Sequence, residues 1–422
     1  MARPTISPKT KQTLESIADS YTSGPQRKLP GLVYGAVRND GEPFFTYASG
    51  TAGISSERKM SLDTIFWVVS FTKLLTSVSC MQLVEQGLLH LDDAEHLESV
   101  APELGAVKVL TQTADGGFEL VEKERKITLR MLLNHTAGFG YAFEDSKLAE
   151  YGRPIGFDDF SGSREGVISR PLVNQPGKKF QYGTSMDWVG IIIERTTGME
   201  LEEYFAHYIL KPLEMDVSFY PSKLEGDLAY MHHRLDGGQL VHADHLYRAP
   251  LTWKASERAG EGRLFCAGGH GCFGKPTHFL RLIAALLNDG TDSKTQTCLL
   301  HPSTVQEMFK DQIPDKPRYS NVCIPVAKPL LANPTPLAPM PDDHTEGWGL
   351  SFSISHFAEK SGRAAGSASW EGLANLYWFA DRENNVGGLI GTQIFPYGDK
   401  YVIECSERLE TEIYKSIARG EV

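Results

Sequence analysis

The stretch Val68–Leu75 reads Val-Val-Ser-Phe-Thr-Lys-Leu-Leu and places a lysine three residues after a serine. Positions i and i+3 share one face of a helix, so Lys73 is expected beside Ser70. A serine hydroxyl becomes a good nucleophile only when a neighbouring base removes its proton. The pair therefore predicts a nucleophilic serine with a lysine base, and a helix N-cap is the alternative role for Ser70.

The same spacing occurs a second time, at Ser56 and Lys59, so the flanking sequence has to distinguish the two pairs. Ser70 follows the apolar run Ile65–Val69 and precedes apolar residues at helical spacing, with Gly87 as a natural helix end. Ser56 lies in a polar stretch without an apolar stripe. We therefore expect Ser70 at the N-terminus of a buried helix, where the helix dipole favours an oxyanion and disfavours a protonated lysine.

Composition limits the function classes. The chain has 422 residues, of which 41% are hydrophobic and 23% are charged, as in ordinary globular proteins. Its net charge of −11 argues against nucleic acid or an anionic membrane as a partner. No apolar run is long enough to cross a bilayer, and the N-terminal residues lack a signal-peptide pattern. Neither the cysteines nor the histidines have a common zinc spacing, so we expect a cytoplasmic protein with free thiols and no metal or other cofactor.

Strand patterns lie at both ends of the chain, with helical patterns between them. The predicted strands are Gly31–Val37, Pro43–Tyr47, Leu350–Ile354, Ala365–Trp370, Leu376–Phe379 and Val386–Ile394. The predicted helices include Thr128–Asn134, Ser185–Thr197, Leu201–Leu213, Pro276–Leu287 and Tyr401–Ala418. This order predicts an α/β fold of the α+β kind, in which the two ends of the chain form one antiparallel sheet.

The expected domains follow from that order. Residues 1–95 and 200–422 are predicted to form a mixed α/β domain with the sheet at its centre, and residues 96–199 a mainly helical domain. Helices at the termini are expected to cover one face of the sheet, and the helical region the other. A cleft between sheet and helical region is the natural place for a small-molecule site.

Tyr182 is the second candidate for the site, because it follows a Pro-Gly loop and directly precedes a predicted helix. Such a position can present the phenol to a cleft. Beside Lys73 the pKa of Tyr182 is expected to fall, so that a phenolate takes the Ser70 proton and later returns it to a leaving group. A core tyrosine is the alternative. Asp187 and Trp188 are expected to cap and pack the helix that follows.

The small-residue tract Gly366–Asn375 is the third candidate, because such a strand edge lets a ligand approach the backbone closely. The backbone amides of Ser70 and Leu373 are expected to form an oxyanion hole. Glycines on both sides of His270 permit close approach to the cleft there as well. The expected substrate contacts are Trp370, Glu371, Gly372, His270 and Ser185.

Together these elements resemble the serine β-lactamase/penicillin-binding-protein superfamily, and most closely its fungal lovastatin-type acyltransferase branch and the family VIII carboxylesterases. The similar stretches are Ser70–Thr76, Thr128–Gly138, Asn174–Gly177 with Tyr182–Gly183, Gly268–Gly271 and Gly366–Asn375. The resemblance implies a β-lactamase/transpeptidase-like fold, a Ser70 nucleophile, Lys73 and Tyr182 as the acid/base pair, and a covalent acyl-enzyme.

The sequence also departs from that pattern. β-Lactamases and transpeptidases have a Lys-Thr/Ser-Gly triplet on this edge strand, and its lysine helps to hold the substrate carboxylate. Here the triplet is Trp370-Glu371-Gly372, so an anionic β-lactam would meet repulsion. An apolar acyl ester fits this site better than a peptidoglycan stem does.

The sequence therefore predicts a serine acyl-transfer enzyme of secondary metabolism. Its expected partners are a small-molecule ester or thioester donor and an alcohol acceptor, with an acyl carrier protein or polyketide synthase domain as an alternative donor. A carboxylesterase and a catalytically silent binding protein of the same fold are the alternative functions.

The proline-rich segment Asp311–Glu346 lies between the helical patterns and the last strands. A long connection at the end of a sheet commonly borders the cleft, so we expect the segment at the mouth of the acyl pocket. A solvated insertion without substrate contact is the alternative. The apolar residues expected to line the pocket are Ile324, Leu330, Leu331, Leu337 and Met340.

Overall fold

The computed structural model describes residues 6–252, 264–316, 318–319, 325–337, 341 and 343–422. Its strands are Gly31–Val37, Pro43–Gly50, Phe66–Trp67, Val109–Gln112, Phe118–Val121, Val217–Ser218, Met231–Arg234, Leu240–Ala243, Phe273–Gly274, Arg318–Tyr319, Thr345–Trp348, Ser353–Ser355, Ala368–Gly372, Leu376–Asp381, Val386–Gly391 and Ile394–Phe395. Its α-helices are Pro8–Thr22, Thr72–Glu85, Ala94–Val100, Glu103–Ala106, Leu129–Leu133, Ser146–Tyr151, Arg164–Ile168, Ser185–Thr197, Leu201–Phe205, Ala249–Thr252, Phe279–Leu287, Pro302–Phe309 and Lys400–Ala418.

Eight strands form the main sheet, and neighbouring strands in it are antiparallel. Strand Gly31–Val37 pairs with Pro43–Gly50 on one side and with Val386–Gly391 on the other. The N- and C-terminal parts of the chain therefore close one sheet, as the order of the sequence patterns predicted. From Val386–Gly391 the sheet continues through Leu376–Asp381 to Ala368–Gly372 and then to its far edge.

The two faces of the sheet have different covers. The terminal helices Pro8–Thr22 and Lys400–Ala418 pack on one face and on each other. They bury an apolar cluster that includes Leu14, Tyr34, Ile390, Val402 and Leu409. On the opposite face the helix Phe279–Leu287 packs against the central strands. Within the described ranges no helix combines the length and apolar character that a membrane span requires.

The predicted helical region contains short helices between residues 94 and 197, and also a two-stranded sheet that the sequence patterns did not predict. That hairpin pairs Val109–Gln112 with Phe118–Val121. The longest helix of this region, Ser185–Thr197, packs against the helix Thr72–Glu85. The domain boundaries near residues 95 and 200 stay a prediction.

The helix of the Ser-x-x-Lys motif lies in the protein interior. A 3₁₀ turn at Val69–Phe71 leads into Thr72–Glu85, and every residue from Thr72 to Met81 is buried. The helix ends at Glu85, and Gly87 then adopts a left-handed conformation with φ +70°. Ser70 thus lies at the entrance of a buried helix, as expected, and Lys73 lies in its first turn.

Some predicted boundaries need correction. The helix expected over Leu201–Leu213 is α-helical only to Phe205, and a π-helical turn follows over Ala206–Leu210. The strand expected over Leu350–Ile354 begins at Ser353, because Ser351 has a φ of 138° and breaks the extended run. Local periodicity identified both elements and missed these backbone irregularities.

A glycine on the sheet allows the helix Phe279–Leu287 to pack closely. A Cβ added at Gly387 would lie 2.3 Å from Cγ2 of Ile283 and 3.0 Å from the Phe379 carbonyl oxygen. Ile283 is β-branched and has one strongly preferred helical rotamer, so it cannot turn aside at low cost. We expect Gly387→Ala to lower the free energy of unfolding by about 1–3 kcal/mol.

The urea-unfolding midpoint measures this loss, and Gly237→Ala is the matched control because a Cβ there meets no atom within 4 Å. Equal midpoints for the two variants would contradict the packing argument.

Candidate active site

Ser70, Lys73 and Tyr182 lie within hydrogen-bonding distance around one hydroxyl. The Lys73 Nζ atom is 2.9 Å from the Ser70 Oγ atom, and the Tyr182 hydroxyl donates to the same oxygen at 3.0 Å. Ser70 is 7% exposed and Lys73 is fully buried. The structure therefore brings together the three side chains that the sequence proposed as a catalytic group.

Lys73 has three hydrogen-bond partners among the described residues. Besides Ser70 these are the Tyr141 hydroxyl at 3.2 Å and the Gly269 carbonyl oxygen at 2.7 Å. Burial disfavours the charged amine and lowers the pKa of Lys73 to about 7, although the negative charges of Asp187 and Glu144 oppose this shift. A lysine with this pKa is poised to accept a proton near neutral pH.

Tyr182 is held by an indole. The Trp370 Nε1–H donates to the Tyr182 hydroxyl oxygen at 2.9 Å, and the two ring centroids are 4.8 Å apart. Burial raises the pKa of Tyr182 well above its ordinary value, and the hydrogen bonds to Ser70 and Trp370 offset only part of this effect. The expectation that this pKa would fall is wrong, because burial disfavours the phenolate.

The loop after residue 140 supplies a contact that the sequence analysis missed, the Tyr141 hydroxyl on Lys73. The Asp159 carboxylate accepts the backbone N–H groups of Ala142 and Phe143, each at 3.2 Å, and forms a buried ion pair with Arg170. These bonds fix the loop next to the lysine. No spacing signal indicates Tyr141, since it lies 68 residues from Lys73.

Asp187 has a different role from the helix cap that was expected. The N-cap position of its helix is Thr184, and the Asp187 Oδ1 atom accepts the backbone N–H of Gly269 at 2.8 Å. Asp187 is fully buried. Burial raises the pKa of its carboxyl to about 6, and the charge of Lys73 acts in the opposite direction. The sequence signal for this role was an acidic residue inside a largely apolar helix, five residues after Tyr182.

The strand Ala368–Gly372 lies against the turn that contains Ser70. It was expected at the edge of the sheet, but it pairs with Ser353–Ser355 on one side and with Leu376–Asp381 on the other. A Cβ added at Gly372 would be 3.3 Å from the Val68 carbonyl oxygen, so the absence of a side chain allows this approach. The Glu371 carboxylate accepts a hydrogen bond from the Tyr397 hydroxyl. The oxyanion hole expected from the amides of Ser70 and Leu373 stays a prediction.

Two of the expected substrate contacts lie in the interior. His270 is 3% exposed and is packed among Trp67, Phe160 and Tyr247, and burial lowers its pKa to about 3. Ser185 is fully buried in the first turn of its helix. His270 was expected to face the cleft, but the structure places it in the interior, where Asp187 lies against Gly269 and Phe219 lies against Gly271. A substrate contact by His270 or Ser185 stays a prediction.

Part of the proline-rich segment bridges the helical region and the sheet domain. The backbone N–H groups of Ala327 and Lys328 donate to the Phe143 carbonyl oxygen at 2.8 and 3.0 Å. Farther along, the Asn333 N–H donates to the Tyr397 carbonyl oxygen at 3.0 Å, and the Tyr397 N–H donates to the Leu331 carbonyl oxygen at 2.8 Å. The segment thus joins residues next to Tyr141 and Glu371.

The apolar residues of that segment differ in placement. Leu331 is half-buried against the core, and Leu337 contacts Gly398. Leu330 is 70% exposed. Ile324 and Met340 lie outside the described residues. A role for the segment at the acyl pocket stays a prediction.

Comparison with known proteins identifies the family. The family model named Beta-lactamase matches residues 10–403. The chain belongs to this family. That assignment confirms the predicted superfamily.

Similar proteins of assigned function are acyltransferases and esterases. Monacolin J acid methylbutanoyltransferase of Aspergillus terreus is 30% identical over 93% of this chain and 94% of its own length. Lovastatin esterase of Penicillium rubens is 31% identical over 92% of this chain and 95% of its own length. These relatives confirm the prediction of a serine acyl-transfer enzyme at the level of acyltransferase or esterase.

Solved structures confirm the fold. Unliganded simvastatin synthase from Aspergillus terreus, as its selenomethionyl derivative, has a TM-score of 0.77 and 27% identity, covering 96% of this chain and 98% of that one. EstCE1, a hydrolase with promiscuous acyltransferase activity, has a TM-score of 0.69 at 20% identity, covering 96% of this chain and 98% of its own, and supports the fold alone.

The pKa of Lys73 predicts the pH dependence of serine acylation. Below about 7 the amine is protonated and cannot accept the Ser70 proton. We expect the acylation rate to rise with pH through a midpoint near that value and then to level off, because the raised pKa of Tyr182 keeps the phenol protonated. Stopped-flow measurement of p-nitrophenol release in the first turnover checks this, and a rate independent of pH across that midpoint would contradict it.

The hydrogen bonds of Tyr182 predict graded effects of two substitutions. Tyr182→Phe removes the hydroxyl that contacts Ser70 and should lower kcat/KM by about two to four powers of ten. Trp370→Phe keeps an aromatic ring but removes the indole donor, and should lower it by about two- to tenfold, the value of one neutral hydrogen bond.

Steady-state kinetics with p-nitrophenyl butyrate compares both variants with the wild type. If Tyr182→Phe lost no more activity than Trp370→Phe, the phenol would not transfer the proton.

Proposed function

We propose that this protein is a serine acyltransferase, which accepts an acyl group on Ser70 from an ester or thioester donor and passes it to an alcohol. The observation on which this rests is the contact of one hydroxyl with both a buried lysine of pKa about 7 and a neutral tyrosine. A lysine in this state can take the serine proton without help from a metal or cofactor.

In the first half-reaction the Ser70 proton moves to the Lys73 amine while Ser70 Oγ bonds to the donor carbonyl carbon. The carbonyl oxygen becomes negative, and the amides of Ser70 and Leu373 are the proposed donors to it. When the intermediate collapses, the bond to the leaving oxygen or sulfur breaks, and that atom takes the Tyr182 hydroxyl proton. The Lys73 ammonium, which lies 4.7 Å from the centre of the Tyr182 ring, then replaces that proton.

In the second half-reaction the same protons move in reverse. The acceptor hydroxyl gives its proton to the Tyr182 oxygen while the Tyr182 proton passes to the Lys73 amine, and the acceptor oxygen attacks the acyl carbonyl carbon. Ser70 Oγ then leaves and takes its proton from the Lys73 ammonium. The rings of Trp348, Trp370 and Tyr182 lie in mutual contact beside the serine. Such an apolar wall disfavours water and therefore favours an alcohol as the second nucleophile.

The names of the relatives suggest the substrate class. A methylbutanoyl-sized acyl group and a hydroxyl of a statin-type metabolite are the donor and acceptor we propose, by similarity to the Aspergillus terreus methylbutanoyltransferase. The acyl group can arrive as a small thioester or on an acyl carrier domain. Trp370 and Glu371 in place of a cation favour an uncharged acyl chain. We also propose a cytoplasmic location, which the described free cysteines support.

Ester hydrolysis is the second candidate function, and the similarity to lovastatin esterase favours it. The two functions share the Ser70 acyl-enzyme and differ only in whether water or an alcohol removes the acyl group. Partition of a trapped acyl-enzyme between hydrolysis and transfer, at rising concentrations of a secondary alcohol, distinguishes them.

We expect Ser70→Ala to abolish covalent acylation by a short-chain thioester, because it removes the oxygen that contacts both Lys73 and Tyr182. Intact-protein mass spectrometry after donor addition measures the adduct. Ser56→Ala is the matched control, since it alters the other Ser-x-x-Lys pair and should leave the adduct unchanged.

An adduct that persists in Ser70→Ala would overturn the proposed nucleophile. A folded wild type that forms no adduct and releases no p-nitrophenol would instead favour the catalytically silent binding protein.

A further inference from the structure

Asp187 is a buried carboxylate close to the lysine, yet the proposed reaction gives it no task. It lies in the first turn of the helix Ser185–Thr197 and has no exposed surface. A carboxylate in an apolar interior is costly unless charges or hydrogen bonds compensate it. Its Oδ1 atom accepts the Gly269 N–H at 2.8 Å, while Oδ2 makes no hydrogen bond within the described residues.

Gly269 connects Asp187 to the reactive lysine. Its N–H donates to the Asp187 carboxylate, and its carbonyl oxygen accepts the Lys73 amine at 2.7 Å. The neighbouring Gly268 carbonyl oxygen accepts the Thr76 hydroxyl at 2.7 Å. The two glycines are therefore bonded to the Ser-x-x-Lys helix on one side and to the Asp187 helix on the other.

The size of glycine is necessary for this arrangement. A Cβ added at Gly269 would lie 2.9 Å and 3.0 Å from the two carboxylate oxygens of Asp187, and a Cβ at Gly268 would lie 2.7 Å from the Met186 carbonyl oxygen. All three distances are shorter than ordinary contacts of a Cβ atom. A larger residue at either position would displace Asp187 or the carbonyl that holds Lys73.

We propose that Asp187 is a positioning residue for Lys73: through Gly269 it fixes the amine beside Ser70, and it faces that amine with a negative charge. This inference rests on the proposed acyl transfer, in which Lys73 becomes an ammonium when it takes the Ser70 proton. A nearby carboxylate in a low-dielectric site stabilises that ammonium at the moment it forms. Asp187 touches no reacting atom and acts only through its neighbours.

The charges around the pair support this role. The negative charge of Asp187 is the largest influence that opposes the lowering of the Lys73 pKa by burial, and Lys73 in turn lowers the pKa of Asp187. The buried His270 stays neutral, because its pKa is lowered to about 3. Among the described residues, the other titratable or charged groups around the pair are Tyr141, Glu144, Asp159, Arg170, Tyr182 and Tyr247.

Asp187→Asn tests the proposal, since the amide oxygen can still accept the Gly269 N–H while the charge is lost. Without the carboxylate the protonated lysine is less stable. The midpoint of the acylation pH profile should therefore shift to lower pH by about one unit, and the plateau rate should fall by at least about tenfold. KM should change little, because Asp187 makes no substrate contact.

Asp381→Asn is the matched control. Asp381 is also fully buried and accepts a backbone N–H, that of Ala364 at 2.9 Å, and a tyrosine hydroxyl, that of Tyr414 at 2.8 Å. A helix-packing role for Asp187 would make both variants less stable and leave both pH midpoints at the wild-type value. That result in folded Asp187→Asn, with an unchanged plateau rate, would overturn the proposal.

Gly269→Ala provides a second test that does not depend on the folding of the Asp187 variant. It leaves the charge in place but displaces the carboxylate and the carbonyl, so the plateau rate should fall at least about fivefold with a smaller shift of the midpoint. A wild-type rate in folded Gly269→Ala would overturn the positioning role. Failure of the wild type itself to form a Ser70 adduct would count against the proposed function instead.

Discussion

The burial of Lys73 is the constraint on which the rest of the site depends. An ammonium group has three N–H donors, and the Lys73 amine has three acceptors in the Ser70 hydroxyl, the Tyr141 hydroxyl and the Gly269 carbonyl oxygen. None of them is a charged group. The protonated form is therefore fully hydrogen-bonded, and the negative charges of Asp187 and Glu144 offset only part of the cost of its burial, so the pKa of Lys73 is lowered to about 7. The same geometry suits a neutral amine, whose lone pair can point at the serine.

The architecture produces that burial. An ordinary amphipathic helix would expose part of its first turn, but residues Thr72–Met81 are buried on every side. The helix Ser185–Thr197 packs on one flank, the glycine pair at 268–269 fills the gap between the two helices, and the strand Ala368–Gly372 lies over the turn at Ser70. The helical region and the sheet thus both enclose the Lys73 side chain, and together they bury it completely.

The sequence predicted those parts whose signals are local. The helix Ser185–Thr197 has the bounds that were expected, because Gly198 adopts a left-handed conformation with φ +70° and ends it. The apolar run around Ser70 likewise indicated a buried helix start. Tyr141 and Gly269 were not recognised as lysine contacts, since they lie 68 and 196 residues away and only the tertiary fold brings them close. Asp187 was expected to cap its helix, because the sequence alone does not show from which N–H group a carboxylate accepts a hydrogen bond.

The one electrostatic prediction that proved wrong explains how the site differs from its superfamily. Proximity to a lysine lowers the pKa of a phenol only while the lysine is charged, and burial removes much of that charge. The triplet lysine of β-lactamases, a second possible cation, is here Trp370. Its indole N–H keeps a hydrogen bond to the Tyr182 oxygen but adds no positive charge. The phenol therefore retains its proton and donates to Ser70. In the proposed reaction Lys73 is accordingly the base that takes the serine proton, and Tyr182 transfers protons to the leaving atom of the donor and from the acceptor hydroxyl.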